Sequence, residues 1–526
     1  MKRVHVVEQS VSSVNRRRVI VRGWLAVTFI FLLLFTSTAP PVLAQNAGGW
    51  APDERVPGYL DDTFTPFLVA DQNRTVHVFA SQWVGISPRQ LAIVYRQWSL
   101  TGGWTKPVDI FLPFAGQAQI QGAFLDSSGI MHVIYWAGTA RESYIFYSKA
   151  PVANADQSSA WSPSIAIGEE AVEPASAALA GDDQGNLIVI YTGNLDGAGV
   201  YEVHSKNSGN TWSKSRSVFF TYDVGIVPFS LRLFMGQAGR LHAAWNVVTN
   251  RGVDMSLHYA RYDVAQEEWT ESVMLNKRID IKEYFGPSFP SIVDNGKDVV
   301  IMYNNGSPLS SRPVPAGRPV QMVSVSNDGG DTWRDPVVPF YRLLGRSGEH
   351  SLVVDSNHVV HALFTQRIEF TVDGVNREIG GMWHSSFQGG IWSDPDRFIT
   401  SHAPHDVRAV VSQGNVLLVV WREDPGAEQQ HGVWFSYTTL DSPELPIVVP
   451  PTPILVENAL TPIPDFSSGS TDVVVSATER PGINLEGAPT GVASNPAGPL
   501  IIALIPVLLV LAVVVVMYRI YRGRNN

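Results

Sequence analysis

Eight polar residues in this chain carry side chains that could do chemistry together. Four are carboxylates, two are arginines, and the others are a tyrosine and a histidine: Asp62, Glu173, Glu283, Tyr284, Arg346, Glu349, His405 and Arg408. An arginine pair suits a carboxylate ligand through bidentate hydrogen bonds, and a tyrosine beside a glutamate can act as an activated nucleophile. The alternative is that all eight are ordinary solvated loop residues.

These candidates belong to a wider set of polar residues that come shortly before apolar, strand-like segments. The wider set also includes Asp61, Glu169, Glu170, Asp280, Arg342, His350, His402 and Asp406. If those segments are the first strands of repeated units around one axis, the loops before them meet at one end of that axis. The prediction of a site therefore depends on a repeat in the sequence.

Tryptophans that follow Gly-rich or polar turns mark such a repeat. They lie 51 to 64 residues apart, at Trp50, Trp104, Trp161, Trp212, Trp269, Trp333 and Trp392. Each unit of about 57 residues holds four strand-like segments separated by turns, which is the composition of a propeller blade. The last unit lacks a tryptophan and the chain begins with an orphan one, so the N-terminal segment is expected to complete the last blade.

The predicted fold class is therefore all-β. We expect a β-propeller over residues 45–441, with seven four-stranded blades closed by the N- and C-terminal strands, and one C-terminal transmembrane helix. Four units also carry a histidine near the start of one strand, at His77, His132, His242 and His361. Equivalent positions in a ring of blades are far apart, so these histidines predict a structural role rather than a metal site. No cofactor and no metal are indicated.

The best-formed motif is SNDGGDTW, in which Ser326, Asp328, Gly330 and Trp333 define the pattern S-x-D-x-G-x-x-W. The serine and aspartate can bond backbone N–H groups in a tight turn, and glycine accepts the unusual dihedral angles. This pattern resembles the Asp box of sialidase-like (BNR repeat) β-propellers. Residues 205–212 fit the same pattern except for an asparagine at the aspartate position.

The resemblance implies an active site at the mouth of the central channel. In that family it uses three arginines, a tyrosine nucleophile with a glutamate partner, and an aspartate acid/base. The family's Arg-Ile-Pro or Arg-Leu-Pro motif is missing, since Arg55-Val-Pro is only a passing likeness, and the family's catalytic propeller has six blades. No catalytic residue is carried over by motif, and the catalytic residues stay unknown at this stage.

The two ends of the chain predict export and anchoring. Residues 1–44 have the layout of a signal peptide, with an uncleaved signal anchor as the alternative. Residues 442–498 are rich in Pro, Ser and Thr and predict a disordered stalk. Residues 499–518 are apolar and long enough for a transmembrane helix, and residues 519–526 form a basic tail expected in the cytoplasm. The predicted localisation is a cell membrane, with a single span and the propeller outside.

Composition limits the classes of partner. The formal net charge is −10, which argues against a nucleic-acid-binding surface. Cysteine is absent, which excludes disulfides and a cysteine nucleophile and favours a prokaryotic cell surface. We therefore predict a propeller that binds a carbohydrate or protein partner through its channel-mouth loops. The alternative is a sialidase-type exo-glycoside hydrolase with a diverged active site, so the sequence leaves enzyme activity undecided.

Overall fold

The computed structural model describes most of the chain between residues 49 and 449. The described ranges are 49–85, 89–112, 117–139, 142–168, 176–236, 239–278, 286–306, 319–343, 347–372, 375–400, 404–423 and 432–449. All of them belong to the first of two compact units, Met1–Ile454. The second unit, Leu455–Asn526, lies outside the described residues.

The described residues form β-strands and two short 3-10 turns, Val152–Asn154 and Ser158–Ala160. In chain order the strands are β1 (Glu54–Arg55), β2 (Phe67–Ala70), β3 (Val76–Val84), β4 (Gln90–Ser99), β5 (Gly103–Trp104), β6 (Val108–Phe111), β7 (Gln117–Leu125), β8 (Ile130–Thr139), β9 (Glu142–Pro151), β10 (Ile165–Ile167), β11 (Ala177–Gly181), β12 (Leu187–Gly193), β13 (Gly199–Ser205), β14 (Arg216–Phe220), β15 (Ile226–Met235), β16 (Arg240–Thr249), β17 (Asp254–Asp263), β18 (Glu268–Trp269), β19 (Val273–Lys277), β20 (Ser288–Asp294), β21 (Val299–Gly306), β22 (Pro319–Ser326), β23 (Ser347–Val354), β24 (Val360–Val372), β25 (Val375–Gln388), β26 (Ile391–Trp392), β27 (Asp396–Thr400), β28 (Pro404–Ser412), β29 (Val416–Glu423) and β30 (Gly432–Thr439). The predicted all-β class is confirmed for this part of the chain.

The strands form a succession of antiparallel sheets in chain order. Sheet 1 holds β2 to β6, sheet 2 β7 to β10, sheet 3 β11 to β14, sheet 4 β15 to β19, sheet 5 β20 to β22, sheet 6 β23 to β27, and sheet 7 β28 to β30 together with β1. Sheets 1 and 2 are joined by a single parallel pair, Leu91 with Gln117. Because paired strands follow one another, each sheet needs only short turns.

The first strands of the sheets, β2, β7, β11, β15, β20, β23 and β28, contact one another in that order, and β28 also contacts β2. The N-terminal strand β1 pairs with β30, with Glu54 opposite Phe435 and Arg55 opposite Trp434. Ala51 N–H adds a hydrogen bond to the Tyr437 carbonyl oxygen at 2.8 Å. The described sheets are therefore arranged as in a propeller, with the first strands innermost.

The core lies between successive sheets rather than at one centre. Every residue of β12 and of β21 is buried, whereas β19 and β27 are largely exposed. A middle strand covered on both faces is apolar without alternation, while an outer strand faces solvent. Apolar packing between sheets also joins the first sheet to the last. Val78 and Val94 of sheet 1 share one apolar cluster with Leu418 and Val420 of sheet 7.

The beginning of the predicted stalk is attached to the sheets. Leu445 N–H donates to the Gln413 carbonyl oxygen at 2.9 Å, and Val448 N–H donates to the Gln72 carbonyl oxygen at 2.8 Å. Glu444 pairs with Arg74 of sheet 1. Residues 442–449 thus run along sheets 7 and 1 in an irregular conformation.

The predicted localisation at a cell membrane requires a correction. Crossing a bilayer takes about 20 consecutive apolar residues in one helix. In the part of the chain that the structure describes, no helix is long and apolar enough to cross a membrane. The predicted signal peptide (1–44), transmembrane helix (499–518) and basic tail (519–526) lie outside the described residues, as does the predicted stalk from residue 450.

Candidate functional site

A cavity of about 690 Å³ lies among the first strands. Each of the first strands contributes at least one residue to its wall, from Phe67 on β2 to Arg408 on β28. Ligand sites in proteins typically have volumes of about 300–1,000 Å³. The ring of strands therefore encloses a space of the size that binds a small ligand.

β-Bulges shape this cavity. The ladder register shifts in the first strands β7, β15, β20, β23 and β28, each time near the middle of the strand or its N-terminal end. The residues at the shifts line the cavity: Gln121, Ser230, Phe289, Glu349 and Asp406. A bulge turns a side chain away from its regular direction, and bulges are frequent beside active sites.

Three of these bulge residues also have a left-handed backbone. The φ angles are 51° at Ser230, 52° at Phe289 and 54° at Asp406. A residue other than glycine in this region is strained by roughly 1–3 kcal/mol, and such strain concentrates at functional sites. The strain is compatible with a structure that holds these side chains in place for a ligand.

Serine hydroxyls tie four of the five bulged strands to the neighbouring sheet. Ser81 accepts a hydrogen bond from Ile120 N–H, and Ser176 accepts one from Leu231 N–H, both at 2.9 Å. The same contact recurs between sheets 5 and 6 and between sheets 6 and 7, at 2.9 and 3.0 Å. These bonds satisfy backbone N–H groups of the first strands, and so they hold the cavity wall to the adjacent sheets.

Two arginines meet in the cavity. Arg408 Nη1 lies 3.2 Å from Glu349 Oε2, and its guanidinium carbon lies 5.7 Å from the ring centre of Phe67. Arg232 donates to the Leu231 carbonyl oxygen at 3.1 Å and makes no carboxylate ion pair among the described residues. Burial, together with the positive charge of Arg408, lowers the pKa of Arg232 to about 10. Two adjacent cations of which one lacks a carboxylate partner form an environment that favours an anion.

The carboxyl groups of Glu349 and Asp406 are joined by a hydrogen bond. Burial and the charge of Asp406 raise the pKa of Glu349 to about 7. Burial opposes ionisation of Asp406 as well, but hydrogen bonds from His405, whose Nδ1 is 3.1 Å away, and from Glu349 hold the pKa of Asp406 below its usual range. Below about pH 7 the pair therefore holds one proton, with Glu349 as the protonated partner.

The structure brings together three of the eight sequence candidates, Glu349, His405 and Arg408. Asp62 lies elsewhere, paired with Arg89, and it is not among the residues that line the cavity. The remaining candidates lie outside the described residues: Glu173, Glu283, Tyr284 and Arg346. The pair Asp406 and Glu349 was within the wider set of loop residues, but its shared proton was not foreseen.

Sequence reasoning missed Arg232. The predicted site residues lie in loops before the first strands, whereas Arg232 lies inside β15, two residues after the strained Ser230. The available signal was one charged residue within the apolar strand IVPFSLRLFM. A charge in such a strand is rare unless it is paired or functional.

The repeated histidines are held in hydrogen-bonded networks away from the cavity. His132 Nδ1 lies 2.8 Å from the Tyr147 hydroxyl, and its Nε2 lies 3.2 Å from Asp126 Oδ2. His77 and His242 repeat the tyrosine contact at 2.7 and 2.8 Å. This arrangement links the turn between two strands to the next strand, which is a structural role.

The Asp box is also built as a turn. The Ser326 hydroxyl donates to Asp328 Oδ1 at 2.7 Å and accepts from Gly330 N–H at 2.8 Å. Trp333 contacts Tyr259 of the preceding sheet edge-on, with ring centroids 4.7 Å apart. The serine and the aspartate of the motif are thus bonded within the turn, so the motif has an architectural role.

Comparison with known proteins finds a likeness of fold only. No protein-family model matches the chain, and no curated protein matches it. A polysaccharide lyase, an ulvan lyase, is similar over 74% of this chain and 95% of its own, with 12% identity and a TM-score of 0.49. A Hadza microbial sialidase is similar over 66% of this chain and 74% of its own, with 13% identity and a TM-score of 0.37.

An α-L-arabinofuranosidase mutant from Fusarium graminearum, solved with an iminosugar inhibitor, covers 64% of this chain and 98% of its own. Its identity is 12% and its TM-score is 0.38. These three proteins act on glycans according to their names. Identities of this size and TM-scores below 0.5 transfer neither an activity nor a residue role, and no family is assigned to this chain.

Proposed function

We propose that this protein is a seven-bladed β-propeller that binds an acidic glycan in its central cavity. The observation that carries the function is that Arg232 and Arg408 both line the cavity of about 690 Å³. Arginine suits carboxylates and sulfates because its planar donors match two acceptor oxygens at once. The closed order of first strands and the pairing of β1 with β30 support the architecture.

The charge balance of the cavity supports an anionic ligand. When Glu349 and Asp406 share a proton, they carry one negative charge against the two positive charges of Arg232 and Arg408. One guanidinium charge is then left without compensation by this carboxyl pair. A buried charge without a partner is costly, so a bound carboxylate or sulfate stabilises the site.

The remaining wall suits a sugar ring. Five aromatic side chains line the cavity: Phe64, Phe67, Trp136, Phe229 and Phe289. Three glutamines lie beside them, Gln117, Gln119 and Gln121. Aromatic rings supply apolar contact area, and side-chain amides offer donors and acceptors for hydroxyl groups. A few polar groups within an apolar wall are typical of a specific ligand site.

A binding experiment with Arg232→Ala tests the proposal. Binding of hexuronate- and sialate-containing oligosaccharides, and of neutral counterparts, is measured by calorimetry for the purified chain. We expect the acidic compounds to bind preferentially, and Arg232→Ala to lower their affinity by about 100-fold, because the variant removes a buried charge partner of the ligand.

Arg89→Ala is the matched control, since Arg89 pairs with Asp62 outside the cavity. It is expected to leave affinity within about twofold of the original protein. Equal binding of neutral and acidic compounds, or equal affinity of Arg232→Ala and Arg89→Ala, would show that the arginine pair does not hold a ligand anion.

One observation favours hydrolysis as a second candidate function. A carboxyl group with a pKa of about 7, such as Glu349, can act as a general acid near neutral pH. Asp406 does not suit the second catalytic role, because carboxyl groups joined by a hydrogen bond are closer than the roughly 5–5.5 Å or 6.5–9.5 Å of glycosidases. Hydrolysis is tested with a fluorogenic sialoside and a fluorogenic uronide. Turnover by the original protein that is lost in Glu349→Gln would establish hydrolysis. No turnover by the original protein would leave binding as the function.

A further inference from the structure

A smaller cavity of about 170 Å³ adjoins the large one. The two cavities share five lining residues, Phe67, Gln121, Ala177, Arg232 and Arg408, so both arginines lie where the cavities meet. Small or apolar residues form much of the remaining wall: Gly122, Ala123, Ala178, Leu179, Leu231 and Leu233. A ligand anion on the arginine pair would therefore have this small space directly beside it.

His350 is the polar residue that gives the small cavity a distinct chemistry. It is only 2% exposed and lines the cavity. Its Nδ1 lies 3.3 Å from the Phe289 carbonyl oxygen. Because a carbonyl oxygen only accepts, Nδ1 must carry the hydrogen, and Nε2 of the neutral ring is then an acceptor.

The Nε2 atom of His350 is buried and has no hydrogen-bond partner among the described residues. Burial lowers the pKa of His350 to about 4, so the ring stays neutral near pH 7 and offers a lone pair there. Buried polar atoms in folded proteins nearly always have a partner. A partner for this atom has to be a group with a hydrogen to donate.

We propose that the small cavity is a specificity subsite of the acidic-glycan site, in which His350 Nε2 accepts a hydrogen bond from a sugar hydroxyl group. The sugar is the one whose carboxylate lies on Arg232 and Arg408, and in this respect the inference rests on the proposed function. A hydroxyl group fits the space beside two guanidinium groups, whereas an ammonium group would be repelled by them. The subsite selects hydroxylated sugar acids over carboxylates that lack hydroxyl groups.

Two carboxylates of similar ring size test the selection. D-Glucuronate carries hydroxyl groups around a six-membered ring, and cyclohexanecarboxylate carries none. We expect the original protein to bind glucuronate about tenfold more tightly than cyclohexanecarboxylate. This is the difference in affinity that one hydrogen bond to an otherwise unpaired buried acceptor produces. Equal affinity for the two acids would overturn the inference.

The variant His350→Asn has no atom at the Nε2 position, because its side chain is shorter, while its amide N–H can still donate to the Phe289 carbonyl oxygen. We expect this variant to bind both acids with affinities within about twofold of each other, and to keep the affinity of the original protein for cyclohexanecarboxylate. His258→Asn is the matched control. His258 is also buried, at 7% exposure, with an unpartnered Nδ1 among the described residues, but it lines neither cavity.

The outcomes separate this inference from the proposed function. If Arg232→Ala weakens both acids while His350→Asn keeps the preference for glucuronate, the arginine site stands and the subsite is wrong. If Arg232→Ala weakens neither acid, the proposed function itself is wrong. Should His350→Asn fail to fold, methyl glucuronides that lack single hydroxyl groups are measured with the original protein. One of them must lose about tenfold in affinity, and uniform affinities would overturn the subsite.

Discussion

The turns that carry the Asp boxes and the bulges that line the cavity differ in how they use their polar groups. Around the turns the same bonds recur from sheet to sheet, as His77 and His132 show with their tyrosine and aspartate partners. Around the cavity, each bulge presents a different side chain. Arg232 makes no carboxylate ion pair there, and the Nε2 atom of His350 has no hydrogen-bond partner among the described residues. The repeated bonds build the fold, whereas the side chains of the bulges differ from sheet to sheet and line a cavity of ligand size.

The two Asp boxes show how closely the turns repeat. In residues 205–212 and 326–333 the serine hydroxyl accepts from a glycine N–H at 2.9 and 2.8 Å. A threonine N–H donates to Asn207 Oδ1 in one box and to Asp328 Oδ1 in the other, both at 2.9 Å. In each box the tryptophan lies edge-on to a tyrosine of the preceding sheet. The turn therefore needs an acceptor oxygen and a glycine rather than a negative charge.

The largest expected effect is the loss of stability in Gly330→Ala. Gly330 has a φ of 91°, and a Cβ atom there would lie 1.9 Å from the buried Tyr259 hydroxyl oxygen. We expect the free energy of unfolding to fall by about 3 kcal/mol, through backbone strain and overpacking. Thermal and denaturant unfolding measure it, with ligand affinity unchanged below the transition.

The control for this prediction is Gly389→Ala. Gly389 has a φ of 61° but no heavy atom within 4 Å of a Cβ placed there. Only the strain of the left-handed backbone remains, about 1 kcal/mol. Equal losses in the two variants would mean that the contact with Tyr259 does not matter to the turn.

The second prediction concerns the pH dependence at the bulges and uses Glu349→Gln. Ionised Glu349 would add a negative charge beside Asp406, opposed by Arg232, Arg408 and His405. We expect the affinity of the original protein for glucuronate to fall about threefold to tenfold as pH rises through about 7, and that of Glu349→Gln to stay constant. Calorimetry between pH 5.5 and 8.5 checks this, and a parallel decline in both proteins would contradict it.

Stability gives an independent readout of the same proton. The folded state holds the Glu349 proton with a pKa of about 7, above the ordinary value of 4.5. The stability from this group is therefore fully present below pH 4.5 and is lost as pH rises through about 7. We expect the difference in melting temperature, Glu349→Gln minus the original protein, to increase between pH 5 and pH 8. The other titrating groups are the same in both proteins, so their effects cancel in this difference.

The smallest effect is expected for Asp328→Asn. This variant gives the box at residues 326–333 the asparagine that the box at residues 205–212 has at the same position. The acceptor for the Thr332 N–H is kept, so the melting temperature at pH 7 should change by less than about 2 °C. Hydrogen bonds from Thr332 and Ser326 lower the pKa of Asp328 to about 2, so its contribution is present above the ordinary pKa of 3.8 and lost as pH falls toward 2.

Asp328→Ala provides the contrast, because it removes the acceptor oxygen as well as the charge. Thermal unfolding at pH 7 is expected to rank the original protein and Asp328→Asn together, with Asp328→Ala well below them. If Asp328→Asn were as damaging as Asp328→Ala, charge rather than hydrogen bonding would hold the turn.

The sequence by itself determined the repeat, because tryptophans and apolar segments recur at a regular spacing along the chain. It also determined the all-β class, since four short strands per unit with Gly-rich turns leave no room for long helices. The box residues Ser326, Asp328 and Gly330 were predictable because their hydrogen bonds join residues at most four positions apart. Trp333 was predictable from its fixed spacing after them.

Only the tertiary structure decided which polar residues meet. Arg232, Glu349 and Arg408 come from three different sheets, and they share one cavity because ring closure brings β15, β23 and β28 together. The bulges that turn Asp406 and Ser230 inward depend on bonds between sheets and leave little trace in the local sequence. Local hydrogen bonding can be read from spacing, whereas convergence across a ring depends on contacts between residues that are distant in the chain.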